Sequence, residues 1–462
     1  MSDDNKAALW KTITSELDDW QLLVRMRELG FWPDGAEIPE EPPESAEERA
    51  KIISELKALR RQSASVQDPD KALALERVRR WNESKKRRAL SKAERAEKAK
   101  ARREADDKER ARTIVHAGRG VSAGLADTES DIEALSGRGL PVLHEAPDLA
   151  RAMGIELGAL RWLTYHRRAA AVVHYHRYTL PKKCGGVRAI SAPKPALAAA
   201  QRWVLAHVLQ KLSVEPEAHG FVPTRGVISN ASPHVGQKVV VNLDLKDFFP
   251  TLTFRRVKGL FKKLGYSEHV ATLMALLTTE PPRVPMTLDG KVWNVALSDR
   301  VLPQGACTSP AITNAVCRRL DRRLRGLAAR HGFTYTRYAD DLTFSGADRR
   351  KVGLLLRSVR SILTDEGFVE HPKKTQVMGR GRRQEVTGVT VNDKLALSRK
   401  DKRRLRATLH NAAKHGAASQ NRAGHPDFPG YLRGMVAWAC QVEPDRAPEW
   451  KRALAEALRP SP

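Results

Sequence analysis

Three aspartates in two places offer the first chemistry in this sequence. Asp340 and Asp341 stand side by side within F-T-Y-T-R-Y-A-D-D-L-T-F-S, residues 333–345, where two β-rich runs flank a tight turn. Adjacent carboxylates repel, so a fold that keeps them together has positive charge to hold, and a pair of divalent metal ions is the natural partner. Aspartate also favours turns for purely local reasons, so the pair alone decides nothing. The third carboxylate, Asp244, ends V-V-V-N-L-D at 239–244, with Asp247 three residues on. A continuous apolar run suits a central strand buried on both faces, and a carboxylate at its end is costly unless it meets a metal or a partner.

Two further blocks bring groups suited to a phosphorylated ligand. Y-T-L-P-K-K-C-G-G-V-R-A-I-S-A-P, residues 178–193, leads Lys182 and Lys183 into a Gly-Gly turn and returns through Arg188. Such a hairpin is either a triphosphate clamp, with Arg giving bidentate contacts and Lys a point charge, or a surface hairpin with incidental charge. L-P-Q-G-A-C-T-S-P, residues 302–310, reads as a loop entering a helix. Gly305 there lets backbone approach a ligand closely, and its small neighbours leave room for a base or sugar. His174, His176 and Cys184 lie near each other, but no further ligands follow at zinc spacing.

These blocks need elements to hold them. Leu9, Ile13, Leu17, Trp20 and Val24 have helical spacing, stopped by Gly30 and Pro33. A Pro/Glu-rich linker covers 34–44, and Ser45 with Glu48 forms a capping-box pattern opening a second helix. From 77 to 112 the chain is charged and Ala-rich, and its apolar stripe fades after Leu90. That stretch reads as a solvated helix or as an RNA-gripping arm, two compatible readings. Residues 118–139, rich in Gly, Ser and Asp, read as a linker, which puts a domain boundary near 140. Helices are expected at 146–154, about 157–165, 311–330 and 352–363, a basic turn at 371–375 and a strand at 385–391. The tail from Ser398 reads as a small helical bundle with a basic face, suited to a duplex backbone. The expected domains are therefore 1–140, a helical charged extension; 141–395; and 396–462, helical.

Bulk properties limit the partners. The 462 residues are 41% hydrophobic, so the chain is globular, and its formal net charge is +27 with a pI near 10.2. That excess calls for a polyanion, nucleic acid first, because each neutralised phosphate releases a counterion. No stretch of about 18 apolar residues exists to span a bilayer. The acidic, polar start does not read as a secretory signal. Cys184, Cys307, Cys317 and Cys440 show neither metal spacing nor a disulfide framework, which favours a reducing cytoplasm.

Three carboxylates on two elements, an aromatic five residues after the first, a basic hairpin and a Gln-Gly loop, in this order, resemble the reverse transcriptase family over about residues 140–400. Asp244 matches its first catalytic carboxylate, Tyr338-Ala339-Asp340-Asp341 its Y-x-D-D box and Leu302–Gly305 its L-P-Q-G box. Asn230-Ala231-Ser232-Pro233-His234 fits the N-A-x-x-H box and Val386-Thr387-Gly388 the V-T-G box of retron reverse transcriptases. Cys307 departs from the family, which usually has proline there.

The resemblance implies an α+β right-hand polymerase: fingers and palm at 141–395 with an antiparallel palm sheet, a helical thumb at 396–462 and a helical N-terminal extension. It implies two Mg²⁺ ions held by Asp244, Asp340, Asp341 and the Leu245 carbonyl. Lys183 and Arg188 would meet the incoming nucleotide, with Lys182 a weaker candidate. Gln304 and Gly305 would support the base pair, Phe249 would exclude a 2′-hydroxyl, and Lys374 would give a proton to pyrophosphate. Asn230, His234, Val386, Thr387 and Gly388 would help recognise RNA. The implied partners are dNTPs, a cognate structured noncoding RNA, its branched DNA product primed from a guanosine 2′-hydroxyl, and a separate effector in anti-phage defence. Alternatives are another bacterial reverse transcriptase without a branched product, or a non-catalytic RNA-binding scaffold.

Overall fold

The structure, a computed structural model, describes residues 19–33, 35–38, 43–63, 69–181 and 185–459. The chain divides into two compact units, residues 1–105 and 106–462. In the first, helices Asp19–Glu28 and Pro43–Ser63 precede one long helix, Pro69–Arg112, which continues past the unit's end. Leu9, Ile13 and Leu17 lie outside the described residues. The second helix begins at Pro43, two residues before the expected Ser45. The long helix runs 44 residues. From Arg77 onward all of its residues are exposed, as the fading apolar stripe leads one to expect.

Among the described residues the second unit carries eleven strands: β1 (Ala169–Ala170), β2 (Tyr175–Pro181), β3 (Val187–Pro193), β4 (Val239–Asp244), β5 (Arg283–Leu288), β6 (Lys291–Ala296), β7 (Phe333–Tyr338), β8 (Asp341–Gly346), β9 (Gln376–Gly379), β10 (Glu385–Val386) and β11 (Val389–Thr390). Every ladder between them is antiparallel. The largest sheet has four strands in the order β7-β8-β4-β9. β2–β3 and β10–β11 are hairpins, and β1 joins the β5–β6 hairpin.

The unbroken apolar run of β4 follows from where the sheet sits. Val239, Val241 and Leu243 face one core with Tyr335, Leu342 and Phe344, while Val240 faces a second core. That second core contains Val386, Val389 and Val391, and Leu405, Leu409, Leu432, Val436 and Trp450 of the C-terminal helices. Alternate side chains of β4 thus enter different cores, and each is worth about 1.5–3 kcal/mol when fully buried. The C-terminal helices Arg399–His415, Phe428–Val442 and Ala447–Ala457 share a core with the sheet rather than forming one of their own.

The expected linker at 118–139 is instead packed structure. Val121, Leu125, Leu135, Leu140 and Leu143 are buried in the first core, and the Asp131 N–H donates to Gly265 O at 2.8 Å. Glycine and serine mark turns here between buried apolar residues, so composition alone misreads the stretch, which lies within the second compact unit. The expected strand at 385–391 resolves into β10, a two-residue turn and β11. Among the described residues no helix is long and apolar enough to cross a membrane.

Candidate active site

The sheet brings the three aspartates together at one end. Asp244, last residue of β4, lies directly across from Asp341, first residue of β8. The Leu245 N–H donates to Asp340 O at 3.0 Å, fixing the turn between β7 and β8 against the chain leaving β4. From the other side the His371 N–H donates to Asp244 O at 2.8 Å. This anchors the short turn Pro372–Lys374, whose Lys374 Nζ sits 2.7 Å from Asp244 Oδ1.

Charge in this corner is out of balance. Burial, then Asp340 and Asp244, push the Asp341 carboxyl up to about 7. Asp340 is raised by burial and by Asp244, against opposing pulls from Lys374 and Arg188. Asp244 in turn raises Lys374, chiefly through their hydrogen bond. Lys374 alone does not neutralise three carboxylates, and hard oxygen donors of this kind suit a divalent cation. Among the described residues no three His, Cys, Asp or Glu side chains converge on a ready-made metal cage. A magnesium site that draws on substrate phosphates needs no such cage.

The other expected residues divide into three groups. Arg188 is exposed on β3, opposite Leu180, near enough to act on Asp340's charge. Lys182 and Lys183 lie outside the described residues. Phe249 is half-buried in the turn after β4, its ring centroid 5.7 Å from that of Phe248. Leu245 points its side chain into the core, with 1% exposure.

The Gln304–Gly305 loop is held by strand β3. The Ser191 N–H donates to Gln304 O at 2.7 Å, so the loop is sewn to β3. Gly305 has φ +115°, and a Cβ there would lie 3.0 Å from Ser191 O. The close approach that requires glycine is therefore to strand β3 of the protein itself. Cys307, where the family usually has proline, is half-buried with Sγ 3.9 Å from Gln201 Oε1.

Three of the residues expected to help recognise RNA lie inside the fold. Asn230 and His234 have 0% exposure, and so has Val386. His234 Nδ1 lies 2.6 Å from Ser345 Oγ and Nε2 2.7 Å from Thr336 Oγ1, clamping its segment to β8 and β7. Burial holds its imidazole down at about 3. Asn230 Nδ2 donates to Thr387 Oγ1 at 3.4 Å. Thr387 and Gly388 form the two-residue loop between β10 and β11, both at positive φ (47° and 86°), which fits a type I′ turn. The two sequence boxes therefore meet inside the protein, and of their residues Ser232, Pro233, Thr387 and Gly388 reach the surface.

What the sequence reading missed is the support of the aspartate turn. Ala339 takes φ +56° in the loop between paired Tyr338 and Asp341, the first central position of a type II′-like turn, which usually needs glycine. Arg337, fully buried, makes a bidentate pair with Asp321 (Nε–Oδ1 2.8 Å, Nη2–Oδ2 2.7 Å) and donates from Nη1 to Ala339 O at 3.2 Å. Tyr335 Oη donates to Asp321 Oδ1 at 2.9 Å. On the far side a Cβ on Gly220 would lie 2.6 Å from Ala339 N, and Asn314 Nδ2 fixes the Gly220 carbonyl at 3.0 Å. Asn314 and Asp321, two turns apart, both belong to the helix Ser309–His331 that the Gln-Gly loop enters. The available signal was Asp321 itself, a charge on the buried face shared by Cys317, Leu320 and Leu324.

Comparison with known proteins identifies this arrangement. The reverse transcriptase (RNA-dependent DNA polymerase) family matches residues 180–391, from β2 to the end of the β10–β11 hairpin. The mixed helix-and-sheet architecture with antiparallel sheets is that of this polymerase class, and the activity is RNA-directed DNA synthesis. The retron Mx65 reverse transcriptase of Myxococcus xanthus is 47% identical over 323 residues, covering 70% of this chain and 74% of the relative. The retron Mx162 reverse transcriptase of the same organism is 41% identical over 419 residues, covering 85% and 83%. The retron Ec86 reverse transcriptase of Escherichia coli is 35% identical over 276 residues, covering 59% and 79%. The chain belongs to the retron reverse transcriptases. Polymerases of this class use divalent metal ions.

Proposed function

We propose that the enzyme copies part of a structured noncoding RNA encoded beside its gene, starting from a guanosine 2′-hydroxyl and leaving a branched RNA–DNA molecule. The observation that carries this reading is the pairing of Asp244 with Asp341 at the sheet's end, Asp340 beside them and Lys374 on Asp244. Asp244, Asp340 and Asp341 are the catalytic carboxylates, and the Leu245 carbonyl completes their donor set. Magnesium, two ions in this reading, supplies activation of the attacking hydroxyl and neutralisation of the triphosphate.

The chain's own groups do the rest. Arg188 and Lys183 neutralise charge on the incoming dNTP, an electrostatic contribution. Phe249 lies under the sugar and rejects a 2′-hydroxyl. Gln304 and Gly305 hold the nascent pair from a loop fixed on β3. Lys374 hands a proton to the leaving pyrophosphate, a role supported by its position on Asp244. Asn230 and His234 serve RNA recognition from behind, by setting the β10–β11 turn and its segment against the sheet, while Thr387 and Gly388 present the contact. In this reading residues 141–395 act as fingers and palm and 396–462 as thumb. The protein works in the cytoplasm, in anti-phage defence with a separate effector chain.

Purified protein with RNA transcribed from the flanking DNA, dNTPs and Mg²⁺ tests the proposal. RNA-linked DNA that a 2′,5′-debranching treatment releases is the expected product. DNA without that linkage overturns the branched-product reading, and no DNA from the wild type overturns the whole assignment.

A further inference from the structure

Between Arg77 and Arg102 one arc of the long helix Pro69–Arg112 carries bases and no acid. At 3.6 residues per turn, Arg77, Arg88, Lys92, Arg95 and Arg102 fall within an arc of about 80°. Glu76, Glu83, Glu94, Glu97 and Glu104 fall in a similar arc centred about 140° away. The acidic arc also holds Arg79 and Lys86, and two of its five acids pair with bases of this helix: Glu76 with Arg79 (2.8 Å) and Arg80 (3.2 Å), Glu104 with Lys100 (4.0 Å). The five bases of the first stripe have no ion pair or hydrogen bond among the described residues, and all five are exposed. From Arg77 to Arg102 they run about 38 Å along one side of a rigid rod.

We propose that this stripe is a docking surface for double-helical RNA, gripping the phosphate backbone of a stem in the enzyme's template RNA. The inference rests on the RNA-directed reading above and adds the residues and the form of RNA. Unpaired cations at fixed helical intervals match a polyanion of fixed geometry, and each phosphate contact releases a counterion. Single-stranded RNA is gripped by aromatic platforms, whereas between Arg77 and Arg112 the helix has one aromatic residue, Trp81. A membrane-surface helix needs an apolar face opposite its bases, and this helix has glutamates there. Contact through phosphates makes the grip insensitive to base sequence, as duplex RNA recognition mostly is.

Phase along the helix gives the test. In the full-length chain, Arg88→Gln, Lys92→Gln and Arg95→Gln together remove three charges from the stripe. Arg79→Gln, Lys86→Gln and Lys100→Gln remove three from elsewhere on the same helix. Glutamine keeps helix propensity close to that of Lys and Arg, and circular dichroism at 222 nm checks that both variants keep their helices. Binding to a 24-base-pair RNA hairpin is measured from 50 to 300 mM salt. The stripe variant should bind at least tenfold more weakly at 150 mM, with a salt slope shallower by about 2–3, since each phosphate contributes about 0.7–0.9. The off-stripe variant should stay within about twofold of wild type. Equal losses in both variants, or none in either, overturn the proposal. So does a greater loss on a 24-nucleotide single strand, or wild-type binding to phosphatidylserine vesicles that the stripe variant alone loses. Extension of a DNA primer annealed to an unstructured RNA template is measured alongside. Wild-type failure there refutes the polymerase reading, whereas the stripe stands or falls on the hairpin contrast.

Discussion

The turns at 338–341 and 386–389 solve one backbone problem with opposite means. Each holds a residue other than glycine at positive φ, Ala339 at 56° and Thr387 at 47°. The first is secured by an ionised, fully buried pair, Arg337 with Asp321, reaching Ala339 O, while Gly220 packs against Ala339 from the other side. The second is secured by a single neutral bond, Asn230 Nδ2 to Thr387 Oγ1 at 3.4 Å. The difference follows the load. Asp340 and Asp341 repel each other and Asp244, so their turn needs a strong hold. The 386–389 turn carries no net charge and has only shape to keep.

Removing the load is the largest expected effect. Asp340→Asn should lower primer extension by about 10³-fold or more, the scale of losing one group that stabilises transition-state charge in a closed site. Affinity for the RNA should stay within about threefold, measured by gel shift. Loss of RNA binding along with synthesis would mean that the turn acts through folding rather than chemistry.

Removing the hold comes next. Arg337→Ala leaves Asp321 buried and unpaired, so unfolding in urea should show a loss of about 3–5 kcal/mol. Arg337→Met with Asp321→Leu removes both charges and should recover most of that stability. It does not restore the bond to Ala339 O, so kcat should remain depressed while the KM for dNTP changes little. Full recovery of kcat in the double variant would show that the pair serves stability alone.

Two buried groups also titrate, in opposite senses. Asp341 binds its proton more tightly folded, near 7, than the ordinary 3.8, so ionising it opposes folding and stability falls as pH rises from about 4 to 7. His234 binds its proton less tightly folded, near 3 against 6.5, so stability falls as pH drops below about 6.5. Between about pH 4 and 6.5 the two slopes oppose each other, so the melting temperature without divalent ions should change little there. Asp341→Asn should leave a melting temperature that falls as pH drops through this range, His234→Gln one that falls as pH rises through it, and magnesium should raise the wild type near pH 7 more than it raises Asp341→Asn.

The contrast also explains what could be read from sequence. Asp244, Asp340 and Asp341 were legible through their order among the reverse transcriptase boxes rather than singly, since aspartate favours turns for local reasons as well, and the sheet's end joins all three. The apolar β4 was legible as a strand buried on both faces. Arg337 was not, because an arginine beside a charged box reads as another phosphate contact until Asp321, on a distant helix, is seen to enclose it. The family box marked Asn230 and His234, but only the fold shows that both have 0% exposure and that His234 has partners on two strands. Residues 118–139 misled by composition, since glycine and serine mark close-packed turns as readily as flexible chain.

The smallest effect is the most informative about the second turn. A β-branched residue at positive φ costs about 1–2 kcal/mol, and glycine avoids that cost. The Asn230–Thr387 bond is long and neutral, worth no more than about 1 kcal/mol. Thr387→Gly should therefore leave the protein as stable as wild type or more so by up to about 1 kcal/mol. If the strained threonine is kept because its hydroxyl and shape meet RNA, that variant should start DNA synthesis less often on the cognate RNA. Its rate on an unstructured RNA with an annealed primer should not change. Ala339→Gly is the matched variant on the first turn. It relieves the same kind of strain, but Arg337 and Gly220 still fix the backbone, so activity on both templates should stay within about twofold. A Thr387→Gly enzyme unchanged on its cognate RNA would reduce the second turn to packing, and the difference between the two turns would then lie in stability alone.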